Sequence, residues 1–279
     1  MELGRKQLLY LIKKTSFGVY LAEDNDPEAK ERVLLPAKQV PEGASVGDRL
    51  MVFLYRDSSD RPIATTAEPA LQVGETAVLK VVQVSRIGAF LDWGLEKDLL
   101  LPYHEQTYRV REGDSVLCAL YVDKSGRLCA TMKVYPYLKK NSPYGAGDTV
   151  QGRVYETSRN FGTFVAVDDQ YSALVPAREG IVDAKPGTIL SLRVTQVLED
   201  GKLNVSARQK AYLQIDDDAE MILRVLDEFA GVLPFDDKAS PETIRREFGL
   251  SKNAFKRAVG HLLKEGKVEI KDGHIKKTY

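Results

Sequence analysis

The sequence predicts a multidomain, mostly β chain: three small five-stranded barrels in tandem, followed by a small α+β domain. Three observations lead there. A quartet recurs three times, as Phe17-Gly18-Val19-Tyr20, Ile87-Gly88-Ala89-Phe90 and Phe161-Gly162-Thr163-Phe164. Around each copy the same succession of β-branched runs and turn signals repeats. Beyond Tyr212 the apolar period changes from that of a strand to that of a helix.

The repeats align well outside the quartets. Gly88 to Gly162 is 74 residues, and Pro102 to Pro176 is also 74. Gly18 to Pro36 is 18 residues where the other two copies have 14, so the first unit carries four extra residues, in the polar run Glu23 to Arg32. That run reads as a long loop. In the third unit the strands are expected at Thr149 to Thr157, Phe161 to Val167, Tyr171 to Val175, Ile189 to Leu198 and Leu203 to Ser206. Turn signals at Asp168-Asp169, Pro186-Gly187 and Asp200-Gly201 separate them. Asp57 to Arg61, Asp123 to Arg127 and Glu199 to Lys202 form the last hairpin turn of each unit. Five short strands in about 70 residues fit a closed barrel, which leaves no exposed sheet edge. Within each quartet, a bulky residue before glycine and an aromatic two residues after it share a face only if the backbone is irregular, and glycine permits that.

In the tail, Asp216-Asp217-Asp218 is read as the opening of a helix with Ile222, Val225, Leu226 and Phe229 on its apolar stripe. Ser240-Pro241-Glu242 caps and starts a second helix. Ser251 caps a third, in which Phe255, Val259, Leu262 and Leu263 face inward before Gly266. Val268 to Lys271 and His274 to Lys277 flank Asp272-Gly273, a two-residue hairpin signal. The resulting domains are 1–69, 70–141, 142–213 and 214–279.

Forty basic and forty acidic residues cancel, which excludes a strongly basic packaging protein and makes any nucleic-acid footprint local. The tail is polarised. Ser251 to Tyr279 holds eight basic and three acidic residues, whereas Asp216 to Leu250 holds four basic and ten acidic ones. Cys118 and Cys129 are the only cysteines and read as small buried residues of a reducing compartment. The apolar run Leu8 to Ile12 is too short for a signal peptide, and no run approaches a membrane span, so a cytoplasmic location with no membrane partner is expected. Three histidines, none in a metal-spaced cluster, leave an enzyme without parts; no cofactor or metal is expected. Gly260 to Lys267 has the wrong glycine spacing for a phosphate loop, and Asp216-Asp217-Asp218 reads as solvated acid rather than as a Mg²⁺ site.

The order glycine, long strand, [Phe/Tyr]-Gly-x-[Phe/Tyr]-Val, Leu-Val, Gly-x-x-Val, Asp-x-x-x-Arg, Leu-Ser resembles the S1 RNA-binding domain, an OB-fold barrel. The third unit matches best and the first least. In that family the two quartet aromatics, a histidine after the third strand, and the Asp and Arg of the last hairpin line the RNA face. The resemblance therefore implies Phe161, Phe164 and Lys202, then Phe90, Asp123 and Arg127, then Phe17, Tyr20, Asp57 and Arg61, with Lys13, Lys14, Arg86 and Arg159 beside the quartets. The sequence departs from the pattern where Pro36, Pro102 and Pro176 replace the histidine, Ile87 replaces an aromatic, and Glu199 and Lys202 approximate the Asp and Arg.

Three helices and a hairpin resemble a winged helix, and the whole combination is similar to the conserved virulence factor B family of bacterial RNA-binding regulators. The implied tail contacts are Lys252, Asn253, Lys256 and Arg257 on the third helix and Lys271, Lys276 and Lys277 on the wing. The function expected is non-catalytic binding of single-stranded RNA, messenger RNA included, in post-transcriptional regulation of gene expression. Flat rings would stack on bases and cations would meet phosphates. Two alternatives stay open: a DNA-binding transcription regulator acting on duplex through the tail, and a scaffold docking on ribosome or polymerase. The competing account of the quartet aromatics is that they pack inside their own barrels.

Overall fold

The computed structural model describes residues 1–179, 184–207 and 211–278. The chain divides into two compact units, Met1–Ala207 and Arg208–Tyr279. The first contains β1 (Lys6–Thr15), β2 (Gly18–Ala22), β3 (Val33–Pro36), β4 (Arg49–Arg56) and β5 (Pro62–Thr65), which close into a barrel in the order β1-β2-β3-β5-β4. The repeat follows as β6 (Thr76–Val84), β7 (Gly88–Asp92), β8 (Leu99–Pro102), β9 (Ser115–Val122) and β10 (Leu128–Thr131). The third set is β11 (Thr149–Ser158), β12 (Gly162–Val167), β13 (Tyr171–Pro176), β14 (Ile189–Val197) and β15 (Leu203–Ser206), again a closed barrel. These bounds agree with the sequence expectation to within a residue.

Closure differs between the repeats. Barrels one and three close through a parallel pairing, Leu34 with Ile63 and Ala173 with Leu203. The second set stays an open ladder, β10-β9-β6-β7-β8, with β10 lying beside β8. The three five-stranded barrels read from the sequence are present, two of them closed and one nearly closed.

Alternation fills each interior with branched aliphatics. Leu9, Leu11, Val19, Leu21, Leu35 and Val52 fill the first barrel; Val150, Val154, Val165, Val175, Leu192 and Val194 fill the third. The second core does not stop at its own strands. Phe53 and Tyr55 of β4 join it, and the Phe53 ring meets Trp93 edge-on with centroids 5.8 Å apart. A further cluster of Leu117, Val134, Leu138, Tyr155 and Ala166 joins barrels two and three. Backbone bonds from Lys139 to the Gln170 carbonyl (2.8 Å) and from Ser172 to the Lys139 carbonyl (2.9 Å) stitch the same junction. Cys118 and Cys129 are free and buried, and burial pushes their thiols up to about 12 and about 11. They are packing residues without thiolate chemistry at neutral pH.

The second unit comprises α1 (Ala211–Glu228), α2 (Pro241–Phe248), α3 (Lys252–Lys264), β16 (Val268–Lys271) and β17 (His274–Lys277). The Ser240 hydroxyl accepts from the Thr243 N–H at 3.1 Å and Ser251 from Ala254 at 3.2 Å, so both caps form as read. Asp272 and Gly273 turn the hairpin with φ of 54° and 78°. Four details differ from the sequence reading. α1 begins at Ala211, so Asp216-Asp217-Asp218 lies inside the helix rather than at its start, and the argument from the helix dipole lapses. Asp218 is buried rather than solvated. Phe229 falls beyond the helix end and is exposed. On α3 the buried stripe is Phe255, Ala258, Val259 and Leu262, and Leu263 is exposed. One residue is a rotation of about 100°, enough to turn Leu263 off the core face. No helix among the described residues is long and apolar enough to cross a membrane.

Candidate nucleic-acid interface

Each barrel presents the tip of its first hairpin in the same way. Gly18, Gly88 and Gly162 pair with Pro36, Pro102 and Pro176 of the next strand. The strands approach so closely that a Cβ on Gly162 would lie 2.0 Å from the Val175 carbonyl oxygen, and its φ of 120° suits glycine alone. With the neighbouring strand pressed against the glycine, the preceding residue is turned away from the barrel. Phe17, Ile87 and Phe161 are accordingly 57%, 61% and 67% exposed. The irregularity that the quartets imply lies opposite them, as a register shift in the first strand of each unit, at Leu11/Lys13, Val81/Gln83 and Val154/Glu156.

Basic side chains surround these tips. Lys13, Lys14, Arg86 and Arg159 are exposed on the hairpins. The short 3-10 turn after the third strand docks on the tip: Ala37 N–H donates to the Phe17 carbonyl at 3.0 Å, and Ala177 N–H to that of Phe161 at 3.1 Å. It carries Lys38, His104 and Arg178 at equivalent exposed positions. The sequence reading passed over these three. Their signal was available as a basic residue two places after each of Pro36, Pro102 and Pro176.

The fourth quartet position behaves differently, and here each barrel goes its own way. The Arg32 guanidinium, from the inserted loop, stacks over the Tyr20 ring at 5.0 Å. Phe90 lines a cleft against the first barrel. Phe164 is half-buried in the junction of barrels two and three, edge-on to Tyr135 (6.2 Å) and tilted against Tyr155 (6.2 Å). Of the two rings of the third quartet, Phe161 is open and Phe164 is half-buried against Tyr135 and Tyr155. Phe164→Ala is expected to lower stability by about 1 to 3 kcal/mol, read as a shifted denaturant midpoint.

The last hairpins divide between turn-making and ion pairing. Asp57 accepts from the backbone N–H of Ser59 and of Arg61, both at 2.9 Å, and from the Arg61 guanidinium at 3.0 and 2.8 Å. Asp123 accepts likewise from the N–H of Ser125 and Arg127, at 2.8 and 2.9 Å. These bonds hold both carboxyls below the usual range, the Arg61 and Arg127 backbone N–H respectively contributing most. The Asp-x-x-x-Arg spacing is thus accounted for by the turn, with Asp123 facing its own backbone. Arg127 reaches instead to Asp60 of the first barrel. Lys202 pairs with Asp200 at 2.7 Å and lies 5.5 Å from the Tyr135 centroid; Asp200 first, then Tyr135, hold its ammonium above the usual lysine range.

On the second unit, Asn253 and Arg257 are exposed on α3. Lys252 donates to the Lys238 carbonyl at 3.4 Å, and Lys256 lies 4.0 Å from Asp237. On the wing Lys271 is exposed, Lys276 lies 3.9 Å from Asp272, and Lys277 pairs with Asp227 of α1 at 2.6 Å. Lys277 fastens the wing to α1, so its charge is already committed. Among the described residues no group of three or more His, Cys, Asp or Glu side chains could hold a metal ion.

Comparison with known proteins accords with this architecture. The S1 domain profile matches residues 3–67 and 73–133, the first two units and not the third, so the expected ranking of the units is corrected, and the CvfB-like winged helix domain profile matches residues 220–276. A Bacillus subtilis protein, YitL, is 32% identical over 98% of this chain and 93% of its own length. Conserved virulence factor B of Staphylococcus saprophyticus is 30% identical over 84% of this chain and 81% of its own. A crystal structure of a multidomain protein with nucleic acid binding domains from Streptococcus pneumoniae aligns over 99% of this chain and 98% of its own, at 24% identity and a TM-score of 0.49.

Proposed function

We propose that this chain, which belongs to the conserved virulence factor B family, is a non-catalytic protein that binds single-stranded RNA and regulates gene expression after transcription. One observation carries the reading. Three equivalent hairpin tips each combine a large exposed apolar side chain with basic residues on two flanking segments. Unpaired bases need flat apolar surface, and the phosphates between them need cations. In the barrels, Phe17 and Phe161 stack on bases, Ile87 supplies an apolar seat, and Lys13, Lys14, Lys38, Arg86, His104 and Arg159 meet the backbone. Each tip alone is weak, and three on one chain gain by effective concentration. Tyr20, Phe90, Arg61, Arg127 and Lys202 support these tips from the barrel wall, and Phe164 and Asp123 hold structure in place. The barrels act as 1–69, 70–141 and 142–207 and the winged helix as the unit Arg208–Tyr279, which holds the whole of α1, in the cytoplasm.

The test is a titration of the full chain with labelled oligouridylate across salt concentrations, with random duplex DNA beside it. Tight, salt-sensitive binding of the single strand supports the reading; preference for the duplex contradicts it.

The winged helix adds a second interface, favoured by the exposed Asn253 and Arg257 at the start of α3. Reversing charge at Lys252, Lys256 and Arg257 together is expected to flatten the plot of log affinity against log salt, by roughly 0.7 for each phosphate no longer neutralised. An unchanged slope would remove α3 from the interface.

A further inference from the structure

We infer that the connection between the second and third barrels is itself a binding segment for single-stranded RNA, in which the Tyr135 ring takes a base and Lys139 and Lys140 meet phosphates. The inference rests on the reading that the barrels bind such a strand, and it adds a contact outside the hairpin tips and outside the strands of either barrel.

The two connections between barrels differ in length and in chemistry. Ten residues, 66–75, join the first barrel to the second, and none of them is basic or aromatic. Seventeen, 132–148, join the second to the third; they hold three lysines and three tyrosines, with Asp148 at the end as their one acid. A spacer needs no such side chains, whereas an unpaired strand needs rings and cations. The longer connection is also ordered. Val134 and Leu138 are buried at the junction of barrels two and three, the Tyr137 N–H donates to the Val134 carbonyl at 2.9 Å, and Lys139 pairs in parallel with Tyr171 of β13. Its outward side carries Lys133, Tyr135, Pro136, Lys139 and Lys140, all exposed. A ligand therefore meets a preformed surface, and little of its binding energy goes into ordering the chain.

Tyr135 is 46% exposed even though its ring meets Phe164 edge-on with centroids 6.2 Å apart. That contact holds the ring in place and leaves nearly half of the residue open to solvent. Carboxylates of both barrels stand near the segment, and their balance decides which lysines are available. Glu105 accepts from the Thr131 hydroxyl at 2.6 Å and faces His104 at 3.4 Å and Lys133 at 3.5 Å, so Lys133 is already answered. Asp200 pairs with Lys202 at 2.7 Å, and Lys202 lies 5.5 Å from the Tyr135 centroid. Glu156 sits opposite Phe164 in the β11 and β12 pair, and Glu199 borders the same cavity as Lys140; both are exposed. Lys139 donates to the Gln170 side-chain oxygen at 2.9 Å. Among the described residues neither Lys139 nor Lys140 makes an ion pair, and these two follow the ring along one ordered segment. Since the nearby charges nearly cancel, the ring supplies the larger share of the affinity and the two lysines add a salt-sensitive part.

The experiment measures anisotropy of labelled oligouridylate on the full chain and on three variants, with a denaturant midpoint for each. Tyr135→Ala is expected to weaken binding about 5- to 20-fold, the loss of one stacked base. Tyr135→Phe keeps the ring and is expected to bind within about twofold of the parent. The double variant Lys139→Gln, Lys140→Gln is expected to flatten the salt slope by roughly 0.7 for each phosphate no longer neutralised, at an unmoved midpoint. Tyr135→Phe as weak as Tyr135→Ala would overturn the stacking role. A loss in Tyr135→Ala that comes only with a lowered midpoint, beside a lysine variant that keeps the parent slope, would reduce the segment to a structural joint and overturn the inference. If all three variants bind as the parent does while Phe17→Ala with Phe161→Ala still weakens binding, the connection is a spacer and the hairpin tips stand. If the parent fails to bind the oligomer at all, the function itself falls, and the segment with it.

Discussion

The double variant Phe17→Ala, Phe161→Ala is expected to bind oligouridylate more weakly by roughly 2 to 6 kcal/mol, the sum for two stacked bases at about 1 to 3 kcal/mol each. Both rings are more than half exposed and stand on equivalent hairpins, so truncation leaves no cavity and folding stability is expected to stay within about 0.5 kcal/mol of the parent. That separation is the value of the experiment. A loss of affinity with an unmoved denaturant midpoint assigns the rings to the ligand. Unchanged affinity with a folded variant would move the base-stacking role elsewhere. Because the cations that meet phosphates remain, the residual binding should keep its salt slope while losing affinity at every salt concentration.

Gly162→Ala is the second large effect, and it falls on stability. The added Cβ would stand 2.0 Å from the Val175 carbonyl oxygen, 2.6 Å from the Ala177 nitrogen and 2.8 Å from the Pro176 carbonyl carbon. All three are backbone atoms that no side-chain rotation can clear. The φ of 120° adds strain for any L side chain. A loss of about 3 to 5 kcal/mol is expected, at the upper end for a single substitution. The measurement is chemical denaturation, and a midpoint within experimental error of the parent would contradict the close approach of β12 and β13. Ala177 and the 3-10 turn would be pushed off the tip, so any folded fraction should also bind RNA more weakly.

Strand order was legible because each unit repeats the same turn chemistry and the same alternation, so three weak signals support one another. The quartet glycines were legible as special positions, though for an incomplete reason. Sequence suggested that glycine itself supplies the irregularity, whereas the register shift sits across the hairpin and the glycine answers a close approach of backbone. What could not be read is how one barrel leans on the next. Phe53 and Tyr55 alternate like any core residues of β4, yet they extend the core of the second barrel. Phe164 has the spacing of a platform residue, but Tyr135, in the connection between barrels, reaches across to it. Such packing joins residues far apart in sequence, and no local period encodes it. The same holds for Arg127. The resemblance places it with Asp123 on the RNA face, but the turn uses that carboxylate for backbone N–H groups and sends the guanidinium to Asp60. In the tail the caps and the Asp-Gly turn were local and therefore visible. The start of α1 was not, because the acids that resemble a helix opening lie within it.

The most direct measurement is photo-crosslinking of a 4-thiouridine oligomer to the full chain, mapped by mass spectrometry. Crosslinks at Phe17 and Phe161 and on the hairpins around them are the predicted result. Crosslinks confined to the second unit, or to barrel surfaces remote from all three tips, would contradict the account.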